Sequence, residues 1–129
     1  MAQYADIIEI VAPAEAQAGS RVDITVKIKN TYSGAIGIMV GGALEYGVSP
    51  WPGISFPESS ANVNGGATYS FSGNFTMPDK KVTIHAYSYW YGADGYWYLD
   101  DEMTKVINPA AVPSSQFGSI EIVSYERRV

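Results

Sequence analysis

Arg21 to Lys29 reads R-V-D-I-T-V-K-I-K, and this strict alternation constrains the chain more than anything else in it. Val22, Ile24, Val26 and Ile28 fall on one side of an extended backbone, with Arg21, Asp23, Thr25, Lys27 and Lys29 on the other, which is the pattern of a half-buried β-strand. Thr68 to Thr76 repeats it, with Tyr69, Phe71 and Phe75 opposed to polar residues and Gly73 as a bulge or close-approach point. Lys81 to Tyr91 repeats it again. There Val82, Ile84, Ala86, Ser88 and Trp90 point one way, and Thr83, His85, Tyr87, Tyr89 and Tyr91 the other. Shorter or less regular strands are expected at Ile7 to Val11, Ile36 to Tyr46 with a bulge or break at Gly41-Gly42, Ile54 to Phe56, and Tyr96 to Ile107.

Turn formers separate these runs, as in Asn64-Gly65-Gly66, Met77-Pro78-Asp79 and Gly92-Ala93-Asp94-Gly95, and no ten-residue segment carries a 3.6 period. The expected fold is all-β: an antiparallel, immunoglobulin-like β-sandwich of seven to eight strands. At 129 residues the chain is long enough for one such domain to bury its core unaided. We divide it into a sandwich over 1–107, an extended linker over 108–118 and a C-terminal strand over 119–129.

Composition narrows the function. With no cysteine there is no disulfide framework, thiolate metal site or cysteine nucleophile. A net charge of −5 is the wrong sign for a nucleic-acid partner. The longest apolar run, Ala35 to Leu44, is too short for a membrane helix and holds three glycines. Met1 to Ile10 does not read as a signal peptide, having two acids and no basic residue.

Ala18 to Asn30, preceded by Pro13, resembles the opening strands of immunoglobulin-like, adhesion-related modules of bacterial and archaeal surface proteins. Phe75-Thr76-Met77-Pro78 followed by Val82-Thr83-Ile84 and Ala86 is similar to the final-strand motif of internalin-type repeats. The two stretches cover about a quarter of the chain. The resemblance implies spacer, adhesion or display roles without catalysis. Related modules occur on tailed-phage virions, and the absence of a secretion signal suits that setting.

The ends carry a short repeat: Ile8-Glu9-Ile10-Val11 recurs as Ile120-Glu121-Ile122-Val123. Asn108 to Phe117 holds two prolines, and at about 3.1 Å per extended residue it could span roughly 30 Å. A strand on such a tether, with Ile120, Ile122, Val123 and Tyr125 as its assembly residues, can pair in its own sheet or add to the sheet edge of a neighbouring copy.

Tyr87 to Tyr98 reads Y-S-Y-W-Y-G-A-D-G-Y-W-Y and holds seven of the chain's 17 aromatic residues. The expectation is an aromatic hairpin whose rings Tyr87, Tyr89, Trp90, Tyr91, Tyr96, Trp97 and Tyr98 form a binding face. If Trp90 and Trp97 or Leu99 face inward, the tyrosines line the outside. Three uses are open: cross-strand pairing, a protein interface or a carbohydrate platform.

Chemistry-bearing groups are few. His85 is the single histidine, mid-strand on the polar side, and no serine sits in a nucleophile-elbow context, so no catalytic residue is assigned. Asp94, Asp100, Asp101 and Glu102 are weak calcium candidates whose spacing fits no standard loop, so no metal or other cofactor is expected. Val48 to Pro57 reads as an ordered loop over one end of the sandwich, with Trp51 either plugging the core or anchoring a partner.

The functional expectation is a non-enzymatic structural or assembly protein, as a virion component such as a capsid decoration or tail protein, partnered by itself or a larger particle. Its location would be the virion, after synthesis in the host cytoplasm. The alternative is a carbohydrate-binding or adhesion module at a cell surface or outside the cell. Neither reading involves nucleic acid or a membrane span.

Overall fold

The computed structural model describes residues 2–110, all strand, turn and loop without a helix. Eight strands run in the order β1 (Ala5–Val11), β2 (Glu15–Ala16), β3 (Arg21–Asn30), β4 (Ile36–Glu45), β5 (Ser60–Val63), β6 (Thr68–Thr76), β7 (Val82–Tyr91) and β8 (Trp97–Pro109). They build a three-stranded sheet, β1-β3-β6, and a five-stranded sheet, β2-β8-β7-β4-β5. The all-β sandwich read from the alternation is the architecture found.

Period 2 explains the core directly. β3 is the central strand of the small sheet and turns Val22, Ile24, Val26 and Ile28 inward. Val82, Ile84 and Ala86 of β7 are buried in the facing sheet, with Ile38, Val40 and Leu44 beside them on β4. Phe71, Phe75 and Ile107 complete the layer. Each such aliphatic or aromatic side chain contributes roughly 1.5–3 kcal/mol when fully buried. The one buried side-chain amide among the described residues, Asn30, is paired: its Nδ2 donates to the carbonyls of Gly34 and Val63, and its Oδ1 accepts from the Tyr32 N–H.

Two short strands escaped the sequence pattern. Ser60–Val63 pairs with the first half of β4, and Glu15–Ala16 runs parallel to Asn108–Pro109. Pro109 and Asn108, the first residues of the expected linker, thus lie in β8; 111–129, with the strand assigned to 119–129, falls outside the described residues.

The bulge or break expected at Gly41-Gly42 is absent, and of the two roles open to Gly73 the close approach is the one found. β4 runs unbroken through Gly41-Gly42, and β3–β6 pairing keeps its register through Gly73. Both Gly42 and Gly73 instead make room for one ring. A Cβ on Gly73 would stand 2.6 Å from Phe56 Cε1, and one on Gly42 3.2 Å from Phe56 Cε2 and 2.9 Å from Ile54 Cδ1. Phe56 therefore reaches between the sheets on their open side.

The segment carrying it is not the strand expected at Ile54 to Phe56. It forms single bridges to each sheet, Gly53 with Ala43 and Ser55 with Asn74, because it crosses from one sheet to the other instead of following either. Ile54 and Phe56 do the filling assigned as one option to Trp51, whose side chain lies outside, 42% exposed.

Gly73→Ala should destabilise the domain by about 1–3 kcal/mol through overpacking against Phe56. Adding Phe56→Leu should recover part of that loss in urea unfolding. Equal midpoints for wild type and Gly73→Ala would show that the ring is not held there.

Candidate functional site

The site grows from a one-residue irregularity in β8. Ser88 pairs with Asp101 and Tyr89 with Leu99, so Asp100 is an extra residue, a β-bulge. A bulge exchanges the faces of everything beyond it. On its C-terminal side, Glu102, Thr104 and Val106 point outward with Tyr87, His85 and Thr83; on its N-terminal side, Leu99 and Trp97 point outward with Tyr89 and Tyr91. Tyr98 is sent to the side of Trp90, and the two rings stack at 4.9 Å. The inward placement considered for Trp97 or Leu99 is thereby reversed: Leu99 is 64% exposed.

The bulge also aims a carboxylate. Asp100 Oδ1 accepts from the Gln3 N–H, and its Oδ2 accepts from the N–H groups of Tyr4 and Ala5, at 2.6–2.8 Å. Asp101 accepts from the Ile7 N–H at 3.0 Å, Ser88 Oγ donates to the Ala5 carbonyl, and Lys105 Nζ donates to that of Ile10. Side chains of the five-stranded sheet thus satisfy the free edge of β1, where the two sheets meet. Asp6 sits beside this seam. Burial raises its carboxyl pKa, the neighbouring Asp101 and Asp100 add to the rise, and Lys29 opposes it.

With Tyr4 fixed, a row of rings follows: Tyr32 against Tyr4 at 5.0 Å, Tyr4 against Trp90 at 4.9 Å, then Trp90 on Tyr98. These rings line an open groove of about 820 Å³, floored by Ile36 and Gly37 and closed by the turn Gly92–Gly95. Gly95 takes a φ of 84°, and a Cβ on Gly92 would come within 2.7 Å of Tyr98 Cε2 and Asp94 Oδ1, so both glycines are required by the shape of this turn. Asp94 accepts from the Tyr98 hydroxyl and the Tyr96 N–H. The Tyr98 bond holds the fully exposed Asp94 carboxyl below its usual range and pushes the Tyr98 hydroxyl above its own.

The expected aromatic face is therefore two adjoining surfaces. Tyr87, Tyr89 and Trp97 lie on the outside of the five-stranded sheet, Trp90 and Tyr98 line the groove, Tyr91 borders both, and Tyr96 stands at the hairpin tip, 69% exposed. The outer surface is flattened by small residues on β4. Tyr89 lies over Gly41, and the Trp97 indole comes within 3.3 Å of where a Gly37 Cβ would be. The four carboxylates weighed for calcium do not converge: Asp94 serves Tyr98, Asp100 and Asp101 serve β1, and Glu102 serves His85. Among the described residues no group of three or more His, Asp or Glu side chains is arranged to hold a metal ion. The assembly residues Ile120, Ile122, Val123 and Tyr125 lie outside the described residues.

His85 is more engaged than a surface histidine. Its Nδ1 lies 2.8 Å from Glu102 Oε2 and its Nε2 2.8 Å from Glu45 Oε1, while Trp51 stacks on the ring at 4.4 Å. Both ring nitrogens can donate only in the imidazolium, so the arrangement selects the charged form. Partial burial works against that charge, but the bonds to Glu102 and Glu45 outweigh it and raise the pKa above 6.5.

Several of these residues carried no signal of their own. Tyr4, Tyr32 and Asn62 enter the groove from three separate segments, and only the adjacent acids Asp100-Asp101, which interrupt the alternation of β8, hinted at a bulge.

No family model matches the sequence, and no curated protein does. Solved structures do resemble the fold. The CARDB domain of a Pyrococcus furiosus protein, in complex with di-metal ions, is similar over 84% of this chain and 90% of its own, with a TM-score of 0.60 and 11% identity. A Pseudomonas fluorescens alkylpurine DNA glycosylase, bound to DNA containing an abasic site analog, gives 0.60 and 13% identity over 84% of this chain, which spans 31% of that enzyme. The ASH/PapD-like domain of human CEP192 gives 0.50 and 6% identity over 86% of this chain and 89% of its own. The class these define is the immunoglobulin-like β-sandwich, and at such identities the likeness is one of fold alone.

Because the His85 pKa is raised on folding, its stabilisation is complete below about pH 6.5 and is lost as pH rises through the folded value. Urea midpoints should decline across that range in the wild type and stay flatter in His85→Gln. Superimposable pH profiles would mean that the Glu45–His85–Glu102 bridge contributes nothing.

Proposed function

We propose that the chain is a non-enzymatic interaction module whose docking surface is the outer face of the five-stranded sheet. The observation that carries this reading is the row of exposed apolar groups on that face, Trp51, Tyr91, Trp97, Leu99 and Val106, with no further layer over them among the described residues. Exposed apolar groups gathered on one face mark interaction sites, and tyrosine and tryptophan supply contact area at low entropic cost. His85, the chain's single histidine, is committed to two carboxylates and a stacked indole, which favours a structural role for it.

The occupant that fits is a second copy of this chain, within a larger particle. A self-associating module of this type suits a capsid decoration or tail protein of a virion, a setting that rests on the sequence resemblance. The strand assigned to 119–129 would add a second contact. One receptive edge is that of β6, which among the described residues meets only the bridge from Ser55. The adhesion reading shares the same exposed rings and differs in its ligand, a glycan.

Sedimentation velocity on the full chain tests the proposal. The wild type should form a discrete oligomer, Leu99→Glu should shift it towards monomer, and deletion of 111–129 should weaken it further. A wild type that stays monomeric at high concentration, or an oligomer indifferent to Leu99→Glu, would remove the outer face as the interface. Binding on a glycan array by that monomer would support adhesion instead.

A further inference from the structure

The groove adjoins the outer face at Tyr91 and Gly37, and its chemistry is more specific. Tyr32, Tyr4, Trp90 and Tyr98 form a continuous wall, with interplanar angles of 72°, 86° and 27° at successive contacts. Two near-right-angle corners make the wall concave, whereas a sugar platform needs a flat exposed ring. Among the described residues Asp94 is the only charged one lining the groove, with no lysine or arginine beside it. An exposed aspartate is ionised at neutral pH, and the bond from Tyr98 lowers its pKa further, so the charge is a standing feature of the site.

These observations combine in sign. Aromatic faces carry the negative side of a quadrupole, and a box of such faces attracts cations with diffuse charge that are cheap to desolvate. A carboxylate at the rim adds attraction of the same sense. An anion would be repelled by the Asp94 carboxylate. A neutral sugar can donate hydrogen bonds to Asp94 and Asn62, but a cation gains in addition from the charge and from the rings.

We propose that the groove bounded by Tyr32, Tyr4, Trp90, Tyr98 and Asp94 binds an organic ammonium group, with the charged head among the rings and Asp94 as its counter-ion. A quaternary amine and the alkylammonium of a partner's lysine share this chemistry. The site is argued independently of self-association: it borders the outer face at Tyr91, but Trp90 and Tyr98 do not lie on that face.

The test is a two-dimensional NMR titration of the full chain with choline and, separately, with Nα-acetyl-lysine methylamide, using methyl glucoside as the neutral probe and sodium chloride to match ionic strength. Saturable shifts confined to Tyr4, Trp90, Asp94 and Tyr98 with either ammonium probe support the site. The tighter of the two identifies a quaternary amine or a lysine as the source. Asp94→Asn, which keeps an acceptor for the Tyr98 hydroxyl, and Tyr32→Ala should each weaken binding about three- to tenfold, the range expected for losing one charge or ring contact. Unperturbed shifts elsewhere would verify that both variants fold. No saturation with either ammonium, tighter binding of methyl glucoside, or unchanged affinity in Asp94→Asn would overturn the proposal.

Discussion

One carboxylate, that of Asp100, carries much of the arrangement. Three consecutive backbone N–H groups, those of Gln3, Tyr4 and Ala5, converge on it from a segment that would otherwise leave them unpaired at a sheet edge. Hydrogen bonds to a charged acceptor are worth about 1.5–3 kcal/mol each when they replace water well, and three share this one group. The carboxylate is available because Asp100 is the bulged residue of β8. The same insertion that frees it reverses the faces of Leu99, Tyr98 and Trp97, so the seam between the sheets and the division of the aromatic hairpin have a common cause.

That division organises both functional surfaces. On the outside, glycines and an alanine on β4 let rings from β7 and β8 lie flat, and the His85 bridge ties β4, β7 and β8 across the same face. On the other side, Tyr98 stacks on Trp90 and reaches Asp94, while Asp100 delivers Tyr4 to complete the wall. One surface is broad and suited to a protein neighbour. The other is narrow and negatively polarised.

How much of this was legible in the sequence follows from the range of each interaction. Alternation in Arg21 to Lys29, Thr68 to Thr76 and Lys81 to Tyr91 is local, and it located β3, β6 and β7 with the inward residues of each. Glu15–Ala16 and Ser60–Val63 are too short to show a period, and exist because β8 and β4 offer edges to pair with. Gly41-Gly42 looked like a bulge or local break and Gly73 like a bulge or a close-approach point, yet what approaches Gly42 and Gly73 is Phe56, which comes from a distant loop. The aromatic cluster was evident as composition, but its split into two surfaces depends on a one-residue register shift that alternation alone does not fix. The groove draws Tyr4, Tyr32 and Asn62 from segments linked only through the sheets.

The central claim is that Asp100 sets Tyr4 against Trp90 while its bulge turns Tyr98, and not Trp97, onto the same ring. Ring-proton NOEs of Trp90, recorded in the wild type and in Asp100→Ala, measure this directly. The wild type should connect Trp90 to both Tyr4 and Tyr98, and Asp100→Ala should lose the Tyr4 contact. A wild-type Trp90 that contacts Trp97 in place of Tyr98, or a Tyr4 contact that survives removal of the carboxylate, would contradict the account.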